Sequence, residues 1–325
     1  IFTMDHLQTT PIKERPLLVS SQIIPCFQMI ALKFSVRAAD DPLFRRIQEI
    51  ARMTHTELME EDNDYIQEFI DLVSENCTFV PNWEDTTVDQ KTYRLYSKKV
   101  PAKEASKQYA ERVKRCMPTT DFVSRTAVDI EKSRFSQSEW YPASTSSIDQ
   151  IEFLCKEPND ILFFKGGHYE FTYNKEEKFS QSQLAVLFDL PSSEDVSTFK
   201  QIKVLCAPYG IKDFTIDSDN MSKDDLLQLG FKEISVGVTP ERTMSLKNNM
   251  QAKQKQYALR HRVTNTIHGA QGETLPKMAT ELSMSNPDFS LWDKGQLMVI
   301  LTRTRKANET IFVPPIRNTC KLTFI

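Results

Sequence analysis

The stretch Thr266-Ile267-His268-Gly269-Ala270-Gln271-Gly272-Glu273-Thr274-Leu275 decides how this chain folds. It reads as a strand entering a turn with two glycines, which displays His, Gln, Glu and Thr side chains and leaves as a second strand. Glycine at such a turn lets backbone N–H groups come close to an anion such as phosphate. An ordinary strand–turn–strand connection has the same outline, so the stretch alone leaves both readings open. Further on comes Gln296-Leu297-Met298-Val299-Ile300-Leu301-Thr302-Arg303-Thr304-Arg305, an apolar run ending in two arginines at i, i+2. Such arginines either form the solvated end of a core element or neutralise charge on a transferring phosphoryl group. Their planar, permanently charged fork suits the second role.

Working outward, Asp40-Asp41-Pro42 supplies an acidic cap and a proline at the first helical position, which predicts a helix start. Leu43, Phe44, Ile47, Ile50 and Ala51 follow at helical spacing, and Tyr65, Ile66, Phe69, Ile70 and Val73 repeat the pattern. Leu17 to Leu32 also reads as helical. Tyr93 to Ser97 predicts a short strand, Ala102 to Cys116 a charged surface helix, and Ser133 to Ser147 a loop. Then the texture changes. Ile161–Phe164, Tyr169–Tyr173, Gln183–Phe188, Ile202–Cys206, Phe231–Val238 and Arg242–Leu246 are short β-type runs separated by turn clusters. They predict a β-rich insert over residues 165–260. Strands resume at Arg260–Thr266 and Met278–Leu282, a helix follows Leu291, and a last strand covers Thr310–Val313. The outline is an α/β domain interrupted by a β module.

A chain of 325 residues, 40% hydrophobic and 26% charged, suits about two globular domains. A formal net charge of -3 argues against bulk electrostatic capture of nucleic acid, so any such contact must come from local groove-lining residues. The six cysteines form no CxxC and no Cys/His cluster. They predict free, mostly buried thiols in a reducing intracellular compartment and no metal site. No apolar run reaches the ~18 residues that span a bilayer. The first residues lack the cationic flank and apolar core of a signal peptide. A soluble protein with no membrane partner is therefore expected. The opening strand and the final Thr323-Phe324-Ile325 lead us to expect a piece of a longer chain. Lys253, Lys255, Arg260, His261 and Arg262, with Tyr257 among them, form either a phosphate-contacting line with aromatic stacking or a solvated strand flank. Trp83, Trp140 and Trp292 read as packing residues.

Together, the two opening segments resemble motifs V and VI of superfamily 1 helicases, approximately T-x-H-x-x-Q-G-x-T and Q-L-x-V-x-L-[ST]-R. Upstream, Thr3-Met4-Asp5-His6-Leu7-Gln8-Thr9-Thr10-Pro11 resembles motif III, and Leu32-Lys33-Phe34-Ser35-Val36-Arg37 resembles motif IV. Lys165-Gly166-Gly167 with Tyr173-Asn174 looks like the lead into this family's β insert. The branch most similar is the 5′-to-3′ group of RecD-like and petite-integration-frequency helicases. The pattern departs from the family at Met4 in place of Gly, Thr9 in place of Leu and Thr302 in place of Ser. No G-x-x-x-x-G-K-[ST] phosphate loop occurs anywhere in the chain.

The resemblance implies a RecA-like second motor domain at 27–164 and 261–325, a β-rich insert at 165–260, and a remnant of the first RecA-like domain at 1–26. It implies that Gln8 senses the γ-phosphate of ATP, with Asp5 supporting that loop, and that Arg37 and Arg303 reach the same phosphate. Gly272, Glu273 and Arg305 are expected near the nucleotide. His268, Gln271, Thr274 and Arg262 are expected near single-stranded DNA. ATP and Mg²⁺ would be held mainly by the P-loop half, and the expected activity is ATP-driven translocation and duplex unwinding. The rival expectations are a helicase remnant that binds nucleic acid or a protein without turnover, and a viral-type RNA helicase.

Overall fold

A computed structural model describes residues 38–53, 55–58, 64–83, 88, 92–135, 139–208, 221–247, 249–281, 290–291 and 295–313, without the side chains of His55 and Thr56. The chain divides into two compact units, Lys103–Val263 and the segments on either side of it.

The flanking segments build an α/β unit. Asp41 accepts a hydrogen bond from the Phe44 N–H (2.9 Å) and Pro42 opens the helix Pro42–Ile50, as the sequence predicts. Its Phe44, Ile47 and Ile50 are fully buried. Asp64 caps the helix Tyr65–Asn76 in the same way, through Gln67 N (3.0 Å). Arg46 joins the two helices with a two-pronged grip on Glu68, Nε to Oε1 at 2.7 Å and Nη2 to Oε2 at 2.8 Å. These helices and the buried helix Gly295–Leu301 share one apolar core with Leu95, Ile267, Met278 and Phe312. The sheet has the strand order Thr78–Phe79, Thr310–Phe312, Met278–Thr280, Tyr93–Tyr96, Thr264–Thr266, and every neighbouring pair is parallel. Most of its residues are buried, the pattern of a parallel sheet covered on both faces.

The second unit is mostly antiparallel. One sheet runs Lys232–Val236, Ile202–Cys206, Leu184–Val186, His168–Phe171, Leu259–His261. A second runs Met244–Ser245, Met250–Lys255, Val128–Ser133, Tyr141–Pro142. Phe122–Thr126 pairs with Asp160–Phe164. The core gathers Phe163, Tyr169, Phe171 and Tyr257.

Three sequence expectations change. The compact β-rich unit begins at Lys103 rather than at 165, because Phe122–Thr126 and Val128–Ser133 pair with strands inside it. Few of their residues are buried, and half of Val128–Ser133 is charged, which hid them. The stretch Ser133–Ser147, expected as a loop, contains the short strand Tyr141–Pro142 and the start of the helix Thr145–Leu154. The expected strand Arg260–Thr266 is two strands in two sheets, broken at Arg262-Val263. Cys77, Cys155 and Cys206 are buried free thiols and Cys116 an exposed one; burial pushes the Cys77 thiol up to about 12 and Cys206 to about 11. No helix among the described residues is long and apolar enough to cross a membrane.

Candidate functional site

The strand Thr264–Thr266 ends in a tight, helix-like turn. Thr266 O accepts from Ala270 N (3.0 Å), and Thr266 Oγ1 accepts from Gly269 N (3.0 Å). His268 O then accepts from Gln271 N (3.2 Å), and Ala270 O from Glu273 N (3.0 Å). Ile267, Ala270 and Leu275 are buried and pin the loop to the core, while Gly269, Gln271 and Gly272 are exposed. Gly269 lies so close to Asn265 that an added Cβ would overlap its Oδ1. That oxygen is already accepting from Thr266 N at 2.8 Å. Gly272 has φ +86°, a left-handed conformation that favours glycine. Thr274 and His268 are half-buried, and the Glu273 residue is buried.

Arg303 binds this loop from below. It follows the helix Gly295–Leu301 and is 1% exposed. Its Nη1 donates to Ala270 O (3.1 Å) and Glu273 O (2.8 Å), its Nε to Val299 O (2.9 Å), and its Nη2 to Thr302 Oγ1 (2.7 Å). The chain closes the link in the other direction, with Leu275 N donating to Arg303 O (2.7 Å). The two segments singled out in the sequence are thus one hydrogen-bonded assembly, with the carbonyls of the glycine turn gripping a guanidinium. Such a clasp fixes the loop backbone and leaves exposed Gly272 with open space where a Cβ would stand, whereas at Gly269 that space is filled by Asn265 and the N–H is held by Thr266 Oγ1.

The structure therefore brings Arg303 together with Gly272, Glu273, Gln271, His268 and Thr274. Arg305 is exposed nearby, and its backbone N–H and that of Lys306 both donate to Glu309 Oε2 (3.1 Å each). Arg262 belongs to the β-rich unit, where its Nη1 donates to Ser182 O (3.1 Å). Asp5, Gln8 and Arg37 lie outside the described residues. Among the described residues no group of three or more His, Cys, Asp or Glu is arranged to hold a metal ion.

The basic run before the loop is not an aromatic stacking line. Tyr257 is fully buried, and its hydroxyl donates to Lys200 O (2.8 Å). Arg260 is ion-paired with the buried Glu170. His261 is buried against Tyr169 (ring centroids 5.1 Å apart) and accepts from Leu162 N (3.3 Å). Burial lowers its pKa to about 4, so the imidazole is neutral. Trp83 packs as expected, with its ring 5.4 Å from Tyr96 and its indole N–H on Glu281 Oε2 (2.8 Å).

Several supporting side chains escaped the sequence reading. Gln48 Nε2 donates to Leu301 O (2.8 Å), Gln296 Nε2 to Ser97 O (3.4 Å), and the Thr304 and Thr310 hydroxyls bond each other (2.7 Å). Gln48 offered a signal: a polar residue on the same helix face as Phe44 and Ile47.

A parallel α/β domain interrupted by a β-rich unit, with this loop at the end of a sheet strand, is the fold class of the RecA-like domains. Within that class, the chain has the fold of the Pif1 helicases. It is similar to the Pif1 helicase from Candida albicans, with a TM-score of 0.60 at 15% identity over 96% of this chain and 63% of that one. The Bacteroides Pif1 helicase in complex with ADP-AlF3 and ssDNA gives 0.54 at 14% over 96% of this chain and 61% of that one. Bacteroides Pif1 bound to ssDNA gives 0.51 at 14% over 86% and 50%. The chain spans less than two thirds of the length of each. No protein-family model matches the chain. No curated protein matches it.

Proposed function

We propose that this chain forms the arginine-bearing side of the ATP cleft in a single-stranded DNA helicase motor. The observation that carries this reading is the bond of Arg303 Nη1 to both Ala270 O and Glu273 O, which welds the phosphate-type turn to the arginine segment. In this reading Arg37 meets the γ-phosphate, with Gln8 and Asp5 linking hydrolysis to strand grip. Arg303, expected from the sequence at the same phosphate, is 1% exposed with its Nε, Nη1 and Nη2 all donated to the protein, and positions the turn instead. Gly272, Glu273 and Arg305 lie beside the nucleotide, and His268, Gln271 and Thr274 beside the DNA backbone. The open, glycine-bearing turn suits phosphate. Mg²⁺ finds no acidic cluster among the described residues, and these 325 residues contain no G-x-x-x-x-G-K-[ST]. A phosphate-cradling loop and the metal ligands would then come from further chain.

The test is DNA-stimulated ATP hydrolysis by the full-length protein, with and without Arg37→Lys and Arg305→Ala. A finger arginine is worth about 10³–10⁵ in turnover. Arg37→Lys keeps a positive charge but not the fork, so turnover should collapse while the protein stays folded by circular dichroism. Turnover indifferent to that change would refute the assignment. A second reading, a nucleic-acid or protein binding module without turnover, is favoured for these residues alone by the lack of the phosphate loop. It predicts no ATPase activity in the full-length protein.

A further inference from the structure

The helix Pro42–Ile50 is bonded to the arginine segment near both of its ends. Asp41, just before its first residue, caps it with one carboxylate oxygen, Oδ1 accepting from Phe44 N (2.9 Å). The other oxygen reaches away from the helix, and Oδ2 accepts from Ala307 N (3.0 Å), 266 residues further along the chain. Toward the far end, Gln48 Nε2 donates to Leu301 O (2.8 Å). That oxygen is among the last carbonyls of the helix Gly295–Leu301, which find no partner inside their own helix. The two bonds fall on either side of Thr302 to Lys306 and so bracket Arg303, whose guanidinium holds the glycine turn. Between them Phe44, Ile47 and Ile50 share one apolar core with Val299, Ile300, Leu301 and Ala307. Ala38 belongs to the same core, is fully buried, and accepts through its carbonyl from Asp41 N (3.3 Å). It is the residue that follows Arg37.

We propose that Asp41 and Gln48 are positioning residues for nucleotide hydrolysis. They strap the helix that follows Arg37 to the segment that carries Arg303, so that Arg37 and the glycine turn meet one phosphate as a single body. Apolar packing is non-directional, whereas two hydrogen bonds near opposite ends of one helix fix its rotation as well as its place. That precision matters at a transferring phosphoryl group, where a displacement of about 1 Å can cost about 100-fold in rate. Stability alone explains Gln48 poorly. The residue is 1% exposed, and its Oε1 has no hydrogen-bond partner, a cost that an apolar side chain of similar volume would not carry. The Arg46–Glu68 pair joins the same helix to Tyr65–Asn76 instead, and so separates helix packing from the strap. The proposal rests on the motor reading for the role of Arg37.

The experiment measures single-turnover and steady-state ATP hydrolysis on DNA by the full-length protein. It also measures binding of ADP and of ADP with aluminium fluoride, a mimic of the transferring phosphoryl group. The variants are Asp41→Asn, Gln48→Met, the two together, the same three with Arg37→Lys, and Glu68→Gln as a control on the same helix. Asparagine keeps an oxygen for the Phe44 cap and loses the one that receives Ala307, while methionine keeps the volume of glutamine and loses the bond. Each single change should lower kcat by about 3- to 10-fold and the pair by up to about 100-fold. The fluoride complex should weaken in step, with KM for ATP and affinity for ADP unchanged. Glu68→Gln should leave all four quantities alone. With Arg37→Lys in place the strap variants should lower the rate no further, because they act through that arginine. Rates are read below the melting onset of each variant; should the pair unfold the protein, the single changes carry the same comparison. Amide exchange at Ala307 should quicken in Asp41→Asn, and unchanged exchange overturns the strap. Unchanged kcat and fluoride-complex affinity in the strap variants, with Arg37→Lys inactive, overturn this proposal and leave the motor reading standing. A fall of equal factor in Glu68→Gln, or on top of Arg37→Lys, also overturns it. An Arg37→Lys protein with wild-type turnover overturns the motor reading, and this proposal with it.

Discussion

Leu259–His261 and Thr264–Thr266 are separated only by Arg262 and Val263, yet the regions they belong to bury polar side chains for different ends. In the antiparallel unit buried polar groups tie strand to strand. His261 takes the Leu162 N–H, Glu170 holds Arg260, and Gln256 Nε2 faces the carbonyls of Arg125 (3.2 Å), Pro158 (3.3 Å) and Asn159 (3.0 Å). In the α/β unit they shape a loop: Asn265, Thr302 and Arg303 fix the backbone between Thr266 and Leu275. A buried cation is costly unless its donors are satisfied, so Arg303 is held by the carbonyls it organises. The first use ties strands together; the second leaves two glycines and Gln271 exposed on a rigid base.

Removing Arg303 should break the contrast most severely. Arg303→Ala leaves the carbonyls of Ala270, Glu273 and Val299 without that donor and opens a cavity in the core. Urea denaturation should register a loss of about 3–5 kcal/mol. The exposed Arg305→Ala should stay within about 0.5 kcal/mol. Equal effects from the two would show that the clasp is not what stabilises this unit.

On the antiparallel side the next largest effect is a pH dependence. His261 has a folded pKa of about 4 against an ordinary 6.5, because burial disfavours the imidazolium. The folded state resists protonation, so the stability tied to neutral His261 is complete above about pH 6.5 and is lost as pH falls toward 4. The loss is on the order of 3 kcal/mol. His261→Gln should flatten the unfolding free energy across that window relative to wild type, whatever its effect at pH 7. Parallel curves for the two proteins would mean that the imidazole is not sealed from water.

The same contrast explains what the sequence disclosed. Pro42 behind Asp41, and the apolar residues at helical spacing after them, define a helix locally, and the structure has it there. The glycine turn and the Arg303 segment were legible because their residue types are unusual for a connection, and the α/β class followed from them. Val128–Ser133 was not legible: half its residues are charged, its longer partner strand, Met250–Lys255, lies more than a hundred residues away, and its nearer one, Tyr141–Pro142, is two residues long. Arg262 was grouped with the loop by proximity in sequence, although Val263 ends one unit and Thr264 begins the next. The burial of Arg303 was equally hidden, since an arginine after an apolar run reads as a solvated end until the carbonyls that receive it are known.

The two glycines of the loop give the finest comparison, because they are glycine for different reasons. At Gly269 a Cβ would overlap Asn265 Oδ1 and stand 3.0 Å from Thr266 Oγ1, the two oxygens that hold the start of the turn. Gly269→Ala should therefore cost about 1–3 kcal/mol as those groups are displaced. At Gly272 a Cβ meets nothing within 4 Å, and the cost is only that of φ +86°. Gly272→Ala should cost about 1 kcal/mol, and Gly272→Asn less, because asparagine tolerates the left-handed region. Chemical denaturation of the three variants resolves the order. A Gly272→Ala protein as stable as wild type would mean that the turn relaxes out of the left-handed region.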